Sequence, residues 1–168
     1  MSIQPGDSIP SMSLQVAGAQ GAQDRDTAQL FSGKRVVLFS VPGAFTPTCS
    51  ERHLPGYVQH HDDFVKRGID VYCLSVNDAF VMQAWGESQH VPEGLLMLAD
   101  GNGAFTRALG LEMDASPFGM GVRGKRFAIY ADNGVARAVE VEAPGEFRVS
   151  SAESMLQTID ALSPNPPE

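Results

Sequence analysis

An α/β fold with a mixed central sheet flanked by helices is what the sequence predicts, and three observations predict it. Two short apolar, β-branched runs, RVVLFSV at 35–41 and IDVYCLSV at 69–76, stand on either side of a segment with helical spacing. The strand-and-helix alternation then continues, which favours parallel crossovers. Further on, Asp132-Asn133-Gly134 is a turn signal joining two more apolar runs, so an antiparallel hairpin makes the sheet mixed.

The elements follow in order. The run 35–41 is bounded by Gly33 before it and Pro42-Gly43 after it, the pattern of a buried strand. Leu54, Tyr57, Val58, His61, Phe64 and Val65 fall at helical spacing, and Lys66-Arg67-Gly68 reads as a basic last turn with a glycine stop. After the strand 69–76, Asn77-Asp78 can cap a helix holding Phe80, Val81, Ala84 and Trp85. A short strand at 95–99 and a brief helix near 104–109 come next, then a Gly- and Pro-rich loop at 116–124. The hairpin strands are 127–130 and 135–141. Ser150-Ser151-Ala152-Glu153 is a capping box opening a helix over 155–162, and the Pro-rich end SPNPPE at 163–168 is expected to be a flexible tail. With no repeat or internal linker, a single domain over 1–168 is expected, in keeping with the length.

Composition narrows the function classes. Apolar residues are 43% and charged residues 19%, so the chain can bury a core without staples. Twelve Lys and Arg against twenty Asp and Glu give a formal net charge of -8, which repels nucleic acid and anionic lipid. No nucleic-acid or membrane partner is expected. The start MSIQPGDSIPSMSLQ has neither a basic n-region nor an apolar h-region, and no apolar run approaches the roughly 18 residues of a membrane helix. A soluble, cytoplasmic protein is expected.

Two cysteines occur, Cys49 and Cys73, without CxxC or zinc-knuckle spacing, and neither a metal nor a cofactor is expected. Cys49 stands in VPGAFTPTCSE, where a strand ends and a helix begins. If Thr46 is the N-cap, Pro47 takes the first helical position and Cys49 the third. If Thr48 caps, Thr48-Cys49-Ser50-Glu51 is a capping box and Cys49 is first. Either way the free N–H groups and positive dipole end of a first turn favour a thiolate, the nucleophilic form of cysteine. Pro55-Gly56 should kink the helix soon after. The bland alternative is a buried small hydrophobe.

These residues also match a known pattern. Pro42, Thr46 and Cys49 fit the P-x-x-x-T-x-x-C signature of peroxiredoxins. The fuller PGAFTPTCS with HLPG behind it, then CLSVNDAFV at 73–81, resembles the peroxiredoxin-5 (type II, atypical) subgroup. The likeness runs from about Gly6 through LADGNGAF at 98–105 and KRFAIYADNG at 125–134 to the final helix, nearly the whole chain.

The resemblance implies a thioredoxin-like fold and a thiol-dependent peroxidase acting on hydrogen peroxide and alkyl hydroperoxides. Cys49 would be the peroxidatic cysteine, oxidised to sulfenic acid. Thr46 would bond the sulfur and the incoming peroxide, and Pro42 would cover the pocket. The arginine directly before Phe127 in the late-strand match is Arg126; Arg123 is its near competitor, with a solvated loop charge as its plainer reading. A guanidinium suits the role because it stays charged and offers fixed donors. His53, four residues after Cys49, invites a metal or Cys–His reading, and a cysteine hydrolase using the pair is a third hypothesis. The resemblance carries this histidine without needing it as a base. His60 and His61 read as surface and helix-face residues, and His90 as a loop residue.

Cys73 lies mid-strand, and its plain reading is an inert buried thiol, although the subgroup often carries a cysteine here that has been considered a resolving partner. Where animal members have a resolving cysteine near the last helix, this chain has Ser150 and Ser151. An external thiol, glutathione with glutaredoxin or thioredoxin, therefore becomes the expected reductant. A Cys49 to Cys73 disulfide would need the first helical turn to unwind. Phe45 and Phe118 would form an apolar rim, with core packing as the alternative for Phe45, and the resemblance implies a homodimer. The competing class is a redox-sensing or holdase-type binding protein that oxidises once and does not turn over.

Overall fold

The computed structural model describes residues 1–162. The flexible tail expected at 163–168 lies outside the described residues. Strands β1 (Ser13–Ala17) and β2 (Gln23–Asp26) and the short helix α1 (Thr27–Phe31) come first. Strand β3 (Arg35–Ser40) leads to a π-helical turn, Cys49–His53, continued by α2 (Leu54–Gln59) and α3 (His61–Lys66). Then β4 (Ile69–Ser75), α4 (Ala79–Ser88), β5 (Leu95–Ala99) and α5 (Ala104–Leu109) alternate. The short strands β6 (Glu112–Asp114) and β7 (Val122–Gly124) precede the hairpin β8 (Phe127–Asp132) and β9 (Val135–Val141), and α6 (Ala152–Leu162) ends the described chain.

The main sheet has the order β2-β1-β5-β4-β3-β8-β9, with β6 and β7 paired apart from it. β3, β4 and β5 run parallel, whereas β8 lies antiparallel to β3, and β1 antiparallel to β5. The sheet is mixed, as predicted. β3 is fully apolar in its middle because it is buried on both faces. Val37 and Phe39 face one core with Cys73, Tyr57, Trp85 and Met155, while Val36 and Leu38 face the other with Leu74, Phe31 and Phe105. Fully burying each such side chain contributes about 1.5–3 kcal/mol. Cys49 packs into the first of these cores.

The hairpin turn follows its signal: Asn133 and Gly134 both have positive φ, 51° and 77°, as a two-residue turn of right-handed twist demands. Other expectations are corrected. β1, β2 and α1 were not legible, because β2 is a short polar edge strand, QDRD, and α1 is held by its Asp26 cap rather than by periodicity. The segment 116–124 contains a 3-10 turn and β7 rather than loop alone. The helix expected over 54–65 breaks at His60, and Val65 is 54% exposed, since only His61 and Phe64 of α3 turn inward. In α4 the buried stripe is Ala79, Met82, Trp85 and Gly86, at three-residue spacing, so Phe80 points outward and is 86% exposed. At α6 the cap shifts by one: Ser151 Oγ accepts from the Ser154 N–H, while Ser150 is engaged elsewhere.

Candidate active site

The site is built where β3 hands the chain to the helix. The carbonyl of Thr46 accepts from the Ser50 N–H at 2.9 Å, so Thr46 is the N-cap residue, Pro47 opens the helix and Cys49 takes its third position. The alternative, a cap at Thr48, is not formed: Thr48 is already helical and its side chain makes no capping bond. The Thr46 hydroxyl does not cap either. It donates to the Gly43 carbonyl at 2.6 Å, so its proton is spent there rather than on the Cys49 sulfur as expected.

The irregularity expected at Pro55-Gly56 is displaced toward the N-terminus. Leu54 N–H reaches the Cys49 carbonyl, five residues back, closing the wide turn Cys49–His53. Pro55 has no N–H to give, and its ring crowds the carbonyl four residues earlier; a widened turn relieves that crowding. Cys49 and His53 both face inward and are fully buried.

Arg126, just before β8, reaches this turn with both arms. Its NH2 group donates to Cys49 Sγ at 3.2 Å, and its NH1 group meets His53 Nδ1 at 2.9 Å. Because a guanidinium only donates, Nδ1 is the acceptor and the ring proton lies on Nε2, which donates to the Ser150 carbonyl at 3.1 Å. Burial first, and the Arg126 charge second, push the His53 pKa down to about 3, so the ring is neutral. A neutral ring holding Arg126 does not fit the Cys–His base of a hydrolase. Arg123 goes elsewhere: it donates to the carbonyls of Met120 and Val76 and braces loops.

Residues that sequence reasoning missed complete the surroundings. Tyr57 hydroxyl donates to the same Ser150 carbonyl at 2.8 Å. The carboxylate of Glu142, just after β9, accepts from the N–H groups of Arg148, Val149 and Ser150 and from the Ser150 hydroxyl. Burial acts against its charge, but these bonds outweigh burial and hold its carboxyl below the usual range. Phe147 lies edge-on to His53, with Arg52 and Arg126 over its ring. Asn77, read as a helix cap, instead accepts from the Ala44 N–H and steadies the loop before the helix; Asp78 caps α4. A spacing signal existed for His53, four residues from Cys49, and for Tyr57, four residues further along the same helical segment; Glu142 and Phe147 join the site through long-range folding.

Pro42, Thr48, Met113, Arg126, Pro144 and Gly145 are among the walls of a cavity of about 330 Å³, and of these Arg126 also contacts Cys49 Sγ. Phe45 is 56% and Phe118 81% exposed, so Phe45 is not core; Gly43 lies against Met120, bringing their two loops together. Cys73 is central in β4, between Phe39 and Met97 on neighbouring strands, and both cysteines are free. Burial, and secondarily the nearness of Cys49, raise its pKa well above the ordinary value. His60 pairs with Asp63 and Glu153 at the surface, His61 is buried on the inner face of α3 against Gly94, and His90 is an exposed loop residue. Among the described residues no three His, Cys, Asp or Glu side chains are grouped as a metal site requires, and no helix is long and apolar enough to cross a membrane.

Residues 4–156 match the family described as Redoxin. The rice protein peroxiredoxin-2E-2, chloroplastic, from Oryza sativa subsp. japonica, is 47% identical over 163 residues, spanning 94% of this chain and 72% of its own. The crystal structure of reduced Prx3 in complex with hydrogen peroxide from Vibrio vulnificus is 50% identical with a TM-score of 0.89, covering 94% of this chain and 99% of that one. Peroxiredoxin 5 from Alvinella pompejana is 34% identical with a TM-score of 0.83, covering 95% and 99%.

Proposed function

The chain belongs to the redoxin family as a type II peroxiredoxin, a thiol-dependent peroxidase with the thioredoxin-like fold, and from that premise we propose the roles of its residues and its cycle. The observation that carries the reading is the contact between the Arg126 guanidinium and Cys49 Sγ at 3.2 Å, inside a buried first helical turn.

Cys49 is the peroxidatic residue. Its thiolate attacks one oxygen of ROOH, the O–O bond breaks, and the departing RO⁻ takes a proton to leave as alcohol or water while sulfur keeps one oxygen as sulfenic acid. Negative charge moves from sulfur to the leaving oxygen, and the fixed donors of Arg126 span that path. With its proton on Gly43, the Thr46 oxygen retains lone pairs to accept from the peroxide O–H and orient it. Pro42 walls the cavity and keeps bulk water from the sulfur.

Hydrogen peroxide and alkyl hydroperoxides are the substrates; the Pro42, Met113 and Pro144 wall suits an alkyl group. An external thiol then displaces water from the sulfenic acid, and a second thiol releases Cys49 and a disulfide. Glutathione with glutaredoxin, or thioredoxin, fits because Cys73 is held as a neutral, buried thiol and serines stand at 150 and 151. Exposed Phe45, Phe118 and Val122 support a homodimer, and two free cysteines suit a reducing compartment such as the cytoplasm.

Intact mass after one equivalent of hydrogen peroxide, with and without a sulfenic-acid trap, tests this cycle. Gain of one oxygen, or of the trap, at Cys49 is expected. Loss of two hydrogens within one chain would instead make Cys73 a resolving residue and remove the need for an external thiol at that step.

A further inference from the structure

We infer that His53, backed by Glu142, is a positioning residue for Arg126: a neutral imidazole locked as the Nε2–H tautomer that turns the guanidinium toward Cys49. The inference deepens the role proposed above for Arg126 and rests on it.

An arginine side chain has many rotamers, and a charge that must meet a moving electron pair is useful only if it is already in place. The guanidinium is planar, so fixing NH1 on His53 Nδ1 also fixes the direction of NH2, the arm that meets Sγ. The holder must accept without cancelling the charge. A carboxylate there would form an ion pair and weaken the field at sulfur, and an imidazolium would repel Arg126 and offer no lone pair. A neutral imidazole with Nδ1 free does neither.

That tautomer is set from behind. Nε2–H is directed at the Ser150 carbonyl, which also receives the Tyr57 hydroxyl. The Ser150 backbone is in turn fixed by Glu142, whose carboxylate collects three successive N–H groups and the Ser150 hydroxyl within 2.7–2.9 Å. The order of contacts is therefore Glu142, the 148–150 turn, the Ser150 carbonyl, His53, Arg126 and Cys49. The ring itself is wedged between Phe39 and Phe147, with centroids at 5.0 and 5.1 Å, so it has little freedom to rotate away.

Two measurements test this. Heteronuclear NMR of the nitrogen-labelled wild-type chain at neutral pH reads the His53 tautomer without any substitution. A proton on Nε2 and a free Nδ1 are expected; a proton on Nδ1 overturns the inference. The second measurement is the rate of Cys49 oxidation in a pair of amide variants. His53→Asn places an oxygen near Nδ1 and keeps an acceptor for Arg126, whereas His53→Gln places its amide near Nε2 and keeps only the Ser150 end. His53→Asn should oxidise at least about tenfold faster than His53→Gln, an order that loss of ring packing, common to both, does not produce. Equal rates, or the reverse order, overturn the inference. In Glu142→Gln the His53 nitrogen signals should shift and oxidation slow; an unchanged spectrum and rate overturn the part assigned to Glu142. If Arg126→Met leaves oxidation unaffected, the role proposed for Arg126 falls first. If Arg126→Met slows oxidation while the two His53 amides behave alike, only the positioning inference falls.

Discussion

Cys49 and Cys73 are both fully buried and belong to the same packed core, yet their surroundings differ in what each sulfur is offered. Cys49 stands in the first turn of a helix and receives a hydrogen bond from Arg126. Cys73 stands mid-strand in β4, its backbone committed to two parallel neighbours, and both burial and the nearness of Cys49 keep it protonated. Burial alone makes a thiol inert; burial with a fixed positive donor makes a dry place in which a charge on sulfur is stabilised. The chain holds both outcomes in one core, which makes it its own control.

The sharpest way to break that comparison is to remove each sulfur. Cys49→Ser should abolish peroxide turnover in a coupled assay with a thiol reductant, since a serine hydroxyl cannot replace the attacking sulfur. Peroxide consumption above background by that variant would end the assignment. Next comes the charge. Arg126→Met should slow Cys49 oxidation, followed by stopped-flow, by about 10²–10³-fold, the range seen when a preorganised transition-state donor is lost. Arg123→Met should cost less than about tenfold, because Arg123 donates only to loop carbonyls. A reversal of the two effects would move the active charge to the other arginine.

The difference between the two thiols was partly legible. Pro47 after Thr46 marked a helix start, and the run around Cys73 marked a buried strand, because capping and periodicity are local signals. The central strands and the Asn133-Gly134 turn were legible for the same reason. What was not legible is what arrives from far along the chain. Arg126 is 77 residues from Cys49, and only the family likeness pointed to it; Glu142 and Phe147 carried no signal at all. The π-helical turn was also hidden, since proline announces a disturbance but not how the preceding turn will absorb it. β2 escaped because it is the edge of the sheet, and an edge strand needs few apolar residues.

Glu142 allows a weaker test of how the surroundings of Cys49 are held. Its carboxyl titrates below the usual range in the folded chain, so its contribution to stability is complete above the unfolded-state value of about 4.3 and is lost as pH falls through the folded value. At neutral pH Glu142→Gln should lower the free energy of unfolding by about 2 kcal/mol, as for hydrogen bonds to a charged group. Urea titrations should show the gap between wild type and variant closing below about pH 4. A gap that is constant with pH would mean that the carboxylate charge is not what fixes the 148–150 turn.

The smallest effect sharpens the comparison most. Cys73→Ala should leave the rate of Cys49 oxidation within about twofold of wild type, because no step of the proposed first oxidation passes through Cys73. Its cost should appear in stability instead. Removing a buried sulfur flanked by Phe39 and Met97 leaves a small cavity and should cost on the order of 1 kcal/mol, read as a lower urea midpoint with unchanged slope. Repeated turnover with glutathione and glutaredoxin, or with thioredoxin, should likewise be retained. Retained oxidation with lost turnover would be the informative failure. It would mean that Cys73 leaves its strand environment to meet the oxidised sulfur, and that the two thiols differ in the order in which they react rather than in whether they react.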